Sequence, residues 1–492
     1  MDITWMSTLL LAFIISCVIY SSWNALYRKN NLPPGPTPLP IVGNILQIMK
    51  GDLVKSLMKF AEKYGSVYTV YFGHNPVIIL SGYETVKEAL LDQAEEFSGR
   101  GKVPNFDVIF KGFGVVFSNG KQWRELRKFS ITTLQNFGLG KKSIEERIQE
   151  EAGFLVAEIR SLKEKSINPK GLLAQAVSNI ICSVVFGNRF EYDNRIFKQL
   201  LSMFAEVFKE TNSTWGQLQY MFPGIMNYIP GPHQGSKRHL NAVQKFVIEQ
   251  VKKNQETFDP KCPRDFIDSF LLKQLQEKDN PHFDTLNMIM TIFGLFFGGT
   301  ETLTTTLRYT FLIFIRYSEI QDKVQKEIDQ VIGNSRIPST EDRSKMPYTN
   351  AVIHEIQRFI NVLPLNVPHM VLKDVNFKGY TIPKGTDVYP LLCSVLYDPK
   401  MFATPNKFNP NHFLDSNGCF KKNQAFMPFS AGKRLCLGEG LARTELFLYI
   451  TTILQNFKLT SKTKFVDEDI QPRMAGFANV PKNYEMCFIP RA

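Results

Sequence analysis

The stretch Phe429-Ser430-Ala431-Gly432-Lys433-Arg434-Leu435-Cys436-Leu437-Gly438 constrains the fold more than any other part of the chain. A single cysteine stands four residues after one glycine and two before another, and an apolar run from Leu441 to Ile453 follows. The glycines suit a backbone folded tightly enough for peptide N–H groups to approach the sulfur, which a Cβ would obstruct. N–H dipoles, the positive start of a following helix and the cations of Lys433 and Arg434 all favour a thiolate. Phe429 would shield the sulfur from water on one side. Such surroundings suit a metal ligand; they also suit an inert buried cysteine, a common residue of protein interiors.

The chain has 492 residues, of which 44% are hydrophobic and 40 are phenylalanine. That is ample for one large core and for an aromatic-lined cavity. No Ser/Gly-rich linker, internal repeat or low-complexity block divides it, so a single catalytic unit after an N-terminal segment is the economical reading. The seven cysteines (17, 182, 262, 393, 419, 436 and 487) are odd in number and widely scattered. This argues against a disulfide framework or zinc site and for a reducing compartment. The formal charge of +12 favours an acidic partner or an anionic membrane. No Lys/Arg-rich arm or nucleic-acid motif accompanies it, so nucleic acid is not expected as a partner.

No charge occurs between Asp2 and Arg28, and Ile3 to Trp23 is mostly apolar. About twenty such residues cross the hydrocarbon core of a bilayer. A cleaved signal peptide would need a basic start, a shorter apolar stretch and a small-residue cleavage site. This segment starts acidic, is longer, and is followed by Tyr27-Arg28-Lys29, cations that keep the remainder cytoplasmic. Residues 1–27 are therefore expected to be a single-pass anchor. Residues 28–38, with Pro33-Pro34-Gly35-Pro36-Thr37-Pro38, read as a stiff basic and proline-rich linker, and 39–492 as the folded unit. Alternation around Val67–Phe72 and Val77–Leu80 predicts paired strands joined through Gly73-His74-Asn75-Pro76. Helical periodicity covers 84–94, 120–135, 143–163, 172–186, 198–212, 237–256, 265–278, 284–332 and 348–361, and strand signals return at 374–386 and at the C-terminus.

Within this pattern residues 286–317 predict one long central helix, marked on one side by Phe293, Phe296 and Phe297. It contains Gly298-Gly299-Thr300-Glu301-Thr302, and two adjacent glycines weaken a helix by about 2 kcal/mol relative to alanine. A kink is expected there, where water or a ligand can insert. Glu301 and Thr302 supply an acid and an alcohol, the parts of a short proton relay, although a solvated helix face would also carry Glu301. Glu355 and Arg358 share a helix face, as do Trp123 and Arg127. Taken alone, such pairs are surface contacts of little worth.

Together these motifs resemble the cytochrome P-450 family. The pattern Phe-x-x-Gly-x-Arg-x-Cys-x-Gly is its haem-ligand signature, and the likeness to the microsomal drug- and steroid-metabolising branch (family 2-like) runs from Pro33 to the C-terminus. The resemblance implies a mainly α fold with small β-sheets (α+β). It implies Cys436 as the iron ligand of a haem b (iron protoporphyrin IX), with Phe429 and Gly438 beside the cofactor. Trp123, Arg127, Arg100, His369 and Arg434 would hold the haem propionates. Thr302 and Glu301 would deliver protons during O2 activation; Gly298 stands where Ala is more usual, which is expected to loosen the kink and enlarge the pocket. Glu355 and Arg358 would brace the cysteine loop, with His412, in Pro410-Asn411-His412-Phe413, standing where the family commonly has Arg.

By the same resemblance a lipophilic pocket is lined by Phe106 and Phe117, by Phe293, Phe297 and Gly298 with Thr302, by Leu363 and Val367, and by Phe477, with mobile loops at 101–118 and 205–235. Arg124, Lys128, Lys421, Lys422, Lys433 and Arg443 would face an acidic flavoprotein. No Gly-x-Gly-x-x-Gly nucleotide site is present, so electrons are expected from NADPH through a separate NADPH–cytochrome reductase, with cytochrome b5 as a second partner. The implied activity is insertion of one oxygen atom from O2 into a xenobiotic, steroid, fatty acid or similar molecule. The implied place is the endoplasmic reticulum membrane, with the catalytic domain facing the cytoplasm. Two other readings stand beside it: a haem-thiolate isomerase or peroxygenase needing no reductase, against which the Thr302–Glu301 pair weighs, and a non-enzymatic membrane haem carrier or sensor, against which the Phe-rich cavity weighs.

Overall fold

A computed structural model describes residues 3–27, 32–40, 42–48, 52–136, 142–471 and 476–491. The first apolar stretch forms a helix, Ile3–Tyr27. Between Trp5 and Ser22 it is long and apolar enough to cross a membrane, and none of that window is buried against the rest of the chain. Leu9, Phe13 and Ile19 stay more than half exposed, apolar area that a lipid bilayer would cover. Arg28 and Lys29, and with them the start of the expected linker, lie outside the described residues. The prolines do not form a free spacer. Pro33 and Pro36 are buried, the Pro33 carbonyl accepts the Thr69 hydroxyl at 2.7 Å, and the Pro34 carbonyl accepts the Thr69 N–H at 3.0 Å. An extended proline segment has unspent carbonyls and no competing N–H, so it lies along a strand as a partner, and the folded unit starts near Pro33 rather than at Leu39.

The strands β1 (Val67–Phe72) and β2 (Asn75–Leu80) form an antiparallel hairpin. Its turn is Gly73-His74 alone, since Asn75 and Pro76 pair with Phe72 and Tyr71. Three very short strands that periodicity could not resolve extend the sheet: β3 (Gly99–Arg100), β4 (His369–Met370) and, after two hairpin strands β5 (Val375–Phe377) and β6 (Tyr380–Ile382), β7 (Asp387–Pro390). Their order is β1-β2-β7-β4-β3, and the β3–β4 pairing sets Arg100 directly opposite His369. Phe457–Thr460 and Cys487–Pro490 make a further pair.

Helices form the rest of the described fold. The central helix, Thr285–Arg316, starts where the Asp284 carboxylate accepts the Asn287 N–H at 2.6 Å. It runs as one helix through Gly298 and Gly299. Gly299 makes room for a neighbour: a Cβ there would stand 3.2 Å from Ile181 of the helix Lys170–Val185. The pattern read over 284–332 is two helices, parted at Tyr317. The segments expected as mobile loops carry short helices, Pro104–Phe110, Gly114–Phe117, Thr214–Met221 and Pro223–Met226. The first of these regions is tied to the central helix, where Asn287 Oδ1 and Thr291 Oγ1 accept the N–H groups of Gly114 and Val115.

The Glu355–Arg358 pair is fully buried rather than a surface contact. Arg358 donates Nε and Nη2 to the two Glu355 carboxylate oxygens at 2.8 and 2.7 Å. Its remaining N–H groups reach the carbonyls of Leu396, Pro405 and Lys407. His412 completes the network. Its Nε2 accepts the Thr404 N–H, so Nδ1 carries the proton, which it donates to Glu355 at 3.1 Å. Arg358→Ala would leave a buried carboxylate without its fork, at a cost of about 3–5 kcal/mol. A urea midpoint no lower than that of the parent would show that the network is not what holds this region.

Candidate active site

The cysteine turn is held from two sides. Gly432 has φ +71°, and a Cβ there would lie 1.8 Å from the Leu90 carbonyl oxygen, so glycine is needed for the turn to dock on the segment Glu88–Asp92. Ser430, also at positive φ, accepts a hydrogen bond from the Asn366 amide at 2.8 Å. Gly432 thus serves packing rather than access to the sulfur, and Gly438 borders open space at φ −92°. Even so, N–H groups do face the sulfur. Burial pushes the Cys436 thiol up, and the nearby Glu439 carboxylate adds to this, whereas the Gly438 and Glu439 N–H groups and the Arg127 charge pull it down. Cys436 lies deep among protein atoms yet remains accessible to water, so the surface it presents is that of an internal cleft.

Around that cleft the fold gathers positive charge. Arg434 lies 3.9 Å from the centre of the Trp123 ring and donates to the Ser98 and Ser118 carbonyls and to Asn119 Oδ1. Arg100 donates to the carbonyls of Val116, Val367 and Pro368, and Arg127 to that of Leu435 at 2.6 Å. Among the described residues none of the three guanidiniums has a carboxylate partner. Burial, together with Arg100 and Arg127, pulls Arg434 down to about 7, and burial with Arg127 pulls Arg100 to about 10. Arg434 Nη1 and Trp123 Nε1 are buried and find no acceptor in the protein. His369 is held near 3 by burial and by Arg100 and Arg434, with Nδ1 on the Phe97 carbonyl and Nε2 facing the Asn366 amide. It therefore donates to a further acceptor only if protonated.

Buried like charges and orphaned donors call for a bound anion. A planar group with two carboxylates and a metal that takes a thiolate satisfies both the donors and the sulfur, so the residues present fit a haem. Asn119 was invisible to sequence reasoning. It accepts the Arg100 N–H, donates to the Arg100 carbonyl and accepts from Arg434, and no motif marks it.

On the central helix Gly298 is exposed and Thr302 half-buried amid a buried run, so both face interior space. The Thr302 hydroxyl donates to the Gly298 carbonyl at 2.7 Å. Glu301 is buried on another side of the helix, where burial raises its carboxyl to about 7 against the pull of Lys170 and Arg308. The acid and the alcohol make no direct hydrogen bond. Phe106 stacks on Phe117 at 5.8 Å and meets Phe297 at 5.4 Å and Phe477 at 6.4 Å. Phe293 is fully buried against Phe110 and Phe204. Leu363 and Val367 are half-buried, and Val367 is tied to the cleft through its carbonyl on Arg100. Phe208, which the sequence did not mark, packs on Phe297 at 5.5 Å.

A model of the cytochrome P450 family matches residues 33–488. The chain is 51% identical to cytochrome P450 2G1 of Rattus norvegicus over 487 residues, 98% of this chain and 99% of the relative. It is 51% identical to cytochrome P450 2A13 of Homo sapiens over 491 residues, 99% of each chain, and 50% identical to cytochrome P450 2B4 of Oryctolagus cuniculus over 485 residues, 98% of this chain and 99% of the relative. The chain belongs to the cytochrome P450 family. As a P450 it is a haem monooxygenase of the drug- and steroid-metabolising kind, using O2 and electrons from a redox partner on lipophilic substrates.

In this P450 the candidate docking cations differ in how free they are. Glu95 pairs with both Arg124 and Lys433 at 2.9 Å, and Arg443 pairs with Glu439 at 2.8 Å. Lys128, Lys421 and Lys422 are exposed and have no carboxylate partner among the described residues.

Arg434→Gln should relieve Arg100 and Arg127 in the haem-free protein and weaken haem retention by one charge-assisted bond, about 1.5–3 kcal/mol. Haem should then pass to an excess of a scavenging globin roughly tenfold faster or more; an unchanged rate would remove Arg434 from the cofactor site. A second expectation concerns pH. The Glu301 carboxyl, raised from 4.5 to about 7, holds its proton better folded than unfolded. Stability should therefore fall as pH rises through that interval, by on the order of 3 kcal/mol in total. Glu301→Gln should abolish this fall in urea unfolding between pH 5 and 8.

Proposed function

We propose that this P450 is a membrane-anchored haem-b enzyme that inserts one oxygen atom into a compact, uncharged lipophile, with electrons passed from NADPH through a separate flavoprotein reductase. The observation that carries the reading is the cleft itself, with Cys436 and a carboxylate-hungry arginine cluster, and the phenylalanine cage beside Gly298 and Thr302 on the central helix. Bound there, a haem with thiolate ligation supplies O2 activation by donation that favours O–O cleavage.

The chain's own residues do the rest. Cys436 ligates the metal, and the Gly438 and Glu439 N–H groups with Arg127 favour its thiolate form. Arg100, Arg127, Arg434 and the Trp123 indole N–H take the propionates, with His369 alongside, and Phe429 and Gly438 flank the ligand. Phe106, Phe117, Phe297 and Phe477 exclude water and orient the substrate through their faces and edges, with Leu363 and Val367 beside them. No charged side chain enters that set, hence the uncharged substrate. Glu301 stores a proton near neutral pH, and water carries it across to the Thr302 hydroxyl, since the two are not in contact. Glu355, Arg358 and His412 hold the cysteine turn from behind.

Residues 1–27 anchor the chain in the endoplasmic reticulum membrane, and the Arg28-Lys29 flank keeps the catalytic domain on the cytoplasmic side. Lys128, Lys421 and Lys422, with the partly neutralised Arg124, Lys433 and Arg443, steer an acidic reductase, and cytochrome b5 as a second donor, towards the cysteine side.

Thr302→Ala should lower the yield of oxygenated product per NADPH and raise peroxide release, while substrate-induced changes in the haem absorption band persist. Coupling equal to that of the parent would take Thr302 out of proton delivery. Reduced protein under carbon monoxide should show the long-wavelength band of thiolate ligation, and a band that survives Cys436→Ala would end the reading.

A further inference from the structure

A second cavity, of about 670 Å³, lies on the cysteine side of the fold, outside the phenylalanine cage. Its walls come from four segments far apart in sequence: the turn Thr340–Lys345, the helix Pro347–Ile360, the loop around Phe420 to Phe426, and the first turns of the helix Glu439–Asn456. Three cations line it, Arg343, Lys422 and Arg443, against one carboxylate, Glu439. Two aromatic rings, Phe420 and Phe426, pack at 4.6 and 4.7 Å on His354, which also faces the cavity.

The cations are not equivalent. Arg443 is spent: Nε donates to Glu439 at 2.8 Å, Nη1 to His354 Nε2 at 3.1 Å, and the guanidinium lies 5.4 Å from the centre of the Phe426 ring. That bond needs His354 neutral, which it is, since burial holds it near 3 and its Nδ1–H is taken by the Asn350 carbonyl. Glu439 is thereby neutralised by Arg443. Arg343 is different. Only its Nε is bound, to Asn350 Oδ1 at 2.9 Å, and among the described residues it has no carboxylate partner. Burial and the Arg443 charge lower it to about 10, so it is still fully charged at neutral pH. Lys422 is exposed and likewise unpaired. A half-buried arginine fork with free Nη groups, an exposed ammonium and two phenylalanine rings in the walls of one cavity together form a recognition set.

We propose that this cavity binds a small organic anion with a flat aromatic body, of the aryl phosphate or aryl carboxylate class. The anionic head takes the Arg343 Nη groups and Lys422, and the ring lies on Phe420 and Phe426. The volume suits a ligand of that size. Lys422 and Arg443 also belong to the surface proposed above for the reductase, so an occupied cavity competes with electron delivery; this consequence rests on that docking reading, and the site itself does not.

The test uses full-length haem-loaded protein in lipid nanodiscs with the distal cleft blocked by a phenylimidazole. Calorimetric titration at low ionic strength with 1-naphthyl phosphate should show one saturable site. 1-Naphthol, which lacks the charge, and inorganic phosphate, which lacks the ring, should each bind about tenfold more weakly or worse. Arg343→Gln should weaken 1-naphthyl phosphate by a similar factor, and Lys422→Gln, an exposed change that cannot disturb packing, by severalfold. Binding by both variants equal to that of the parent, or equal affinity for 1-naphthol, overturns the site; equal affinity for inorganic phosphate overturns the aromatic class. Saturating 1-naphthyl phosphate should also slow reduction of the haem by the reductase. Undiminished binding with an unchanged rate of reduction keeps the site and removes the competition, so failure of the docking reading is seen separately.

Discussion

Gathering three guanidiniums around one cleft, Arg434 buried and Arg100 and Arg127 half-buried, is the constraint on which the rest of this structure turns. Desolvation of a charge costs several kcal/mol per ion unless it is met by good acceptors. Here most of the acceptors are backbone carbonyls, and they come from segments far apart in sequence. Arg434 draws in Ser98 and Ser118, Arg100 draws in Val116, Val367 and Pro368, and Arg127 draws in Leu435 of the cysteine turn. Neutral acceptors take most of the N–H groups without cancelling the charge, and Arg434 Nη1 is left without an acceptor. The leftover field is what the anionic edge of a haem would meet in the proposed site; its binding would then consolidate these segments, since a ligand that binds only the folded state adds its free energy to folding.

At Arg358 the same chemistry is arranged to the opposite end. Arg358 is as buried as Arg434, but it faces a carboxylate of matched geometry and carbonyls for its spare donors. His412 adds a neutral donor where a second arginine would add charge, and its Thr404 contact fixes which nitrogen carries the proton. One arginine is thus self-sufficient and the other is left wanting. That difference separates a brace from a binding group more surely than burial does, since both are buried.

Much of this was legible in the sequence because it is written in side-chain periodicity. The long helices, the β1–β2 hairpin and the apolar first helix all show it, and most boundaries fall within a few residues of their expected places. What was not legible depends on contacts between distant segments. β3 and β4 are two residues each, too short for any alternation, yet they bring Arg100 to His369. Asn119 carries no motif, and its value lies in having both an acceptor and a donor where Arg100 and Arg434 meet. Gly432 was read for the right residue type and the wrong neighbour: the obstruction it avoids is the Leu90 carbonyl, not the sulfur. Composition alone marks the prolines after residue 32 as a spacer, and only the carbonyls that meet Thr69 show them lying against β1.

The central helix shows how little sequence separation is needed to divide two tasks. Successive residues on an α-helix point about 100° apart, so Gly298 and Gly299 serve different spaces, one the cleft and the other Ile181. Glu301 and Thr302 divide in the same way. The hydroxyl looks into the cleft with its donor parked on the Gly298 carbonyl, and the carboxyl is turned into protein within the fields of Lys170 and Arg308. A carboxyl placed in the cleft would be solvated and ionised at neutral pH, and would bring a negative charge to a cage that otherwise has none. Set one position aside, it stays dry enough to keep its proton to about pH 7, on the helix face next to the one that carries Thr302. The unbroken helix is what fixes that offset, and Gly299 is what lets the neighbouring helix close in beside it.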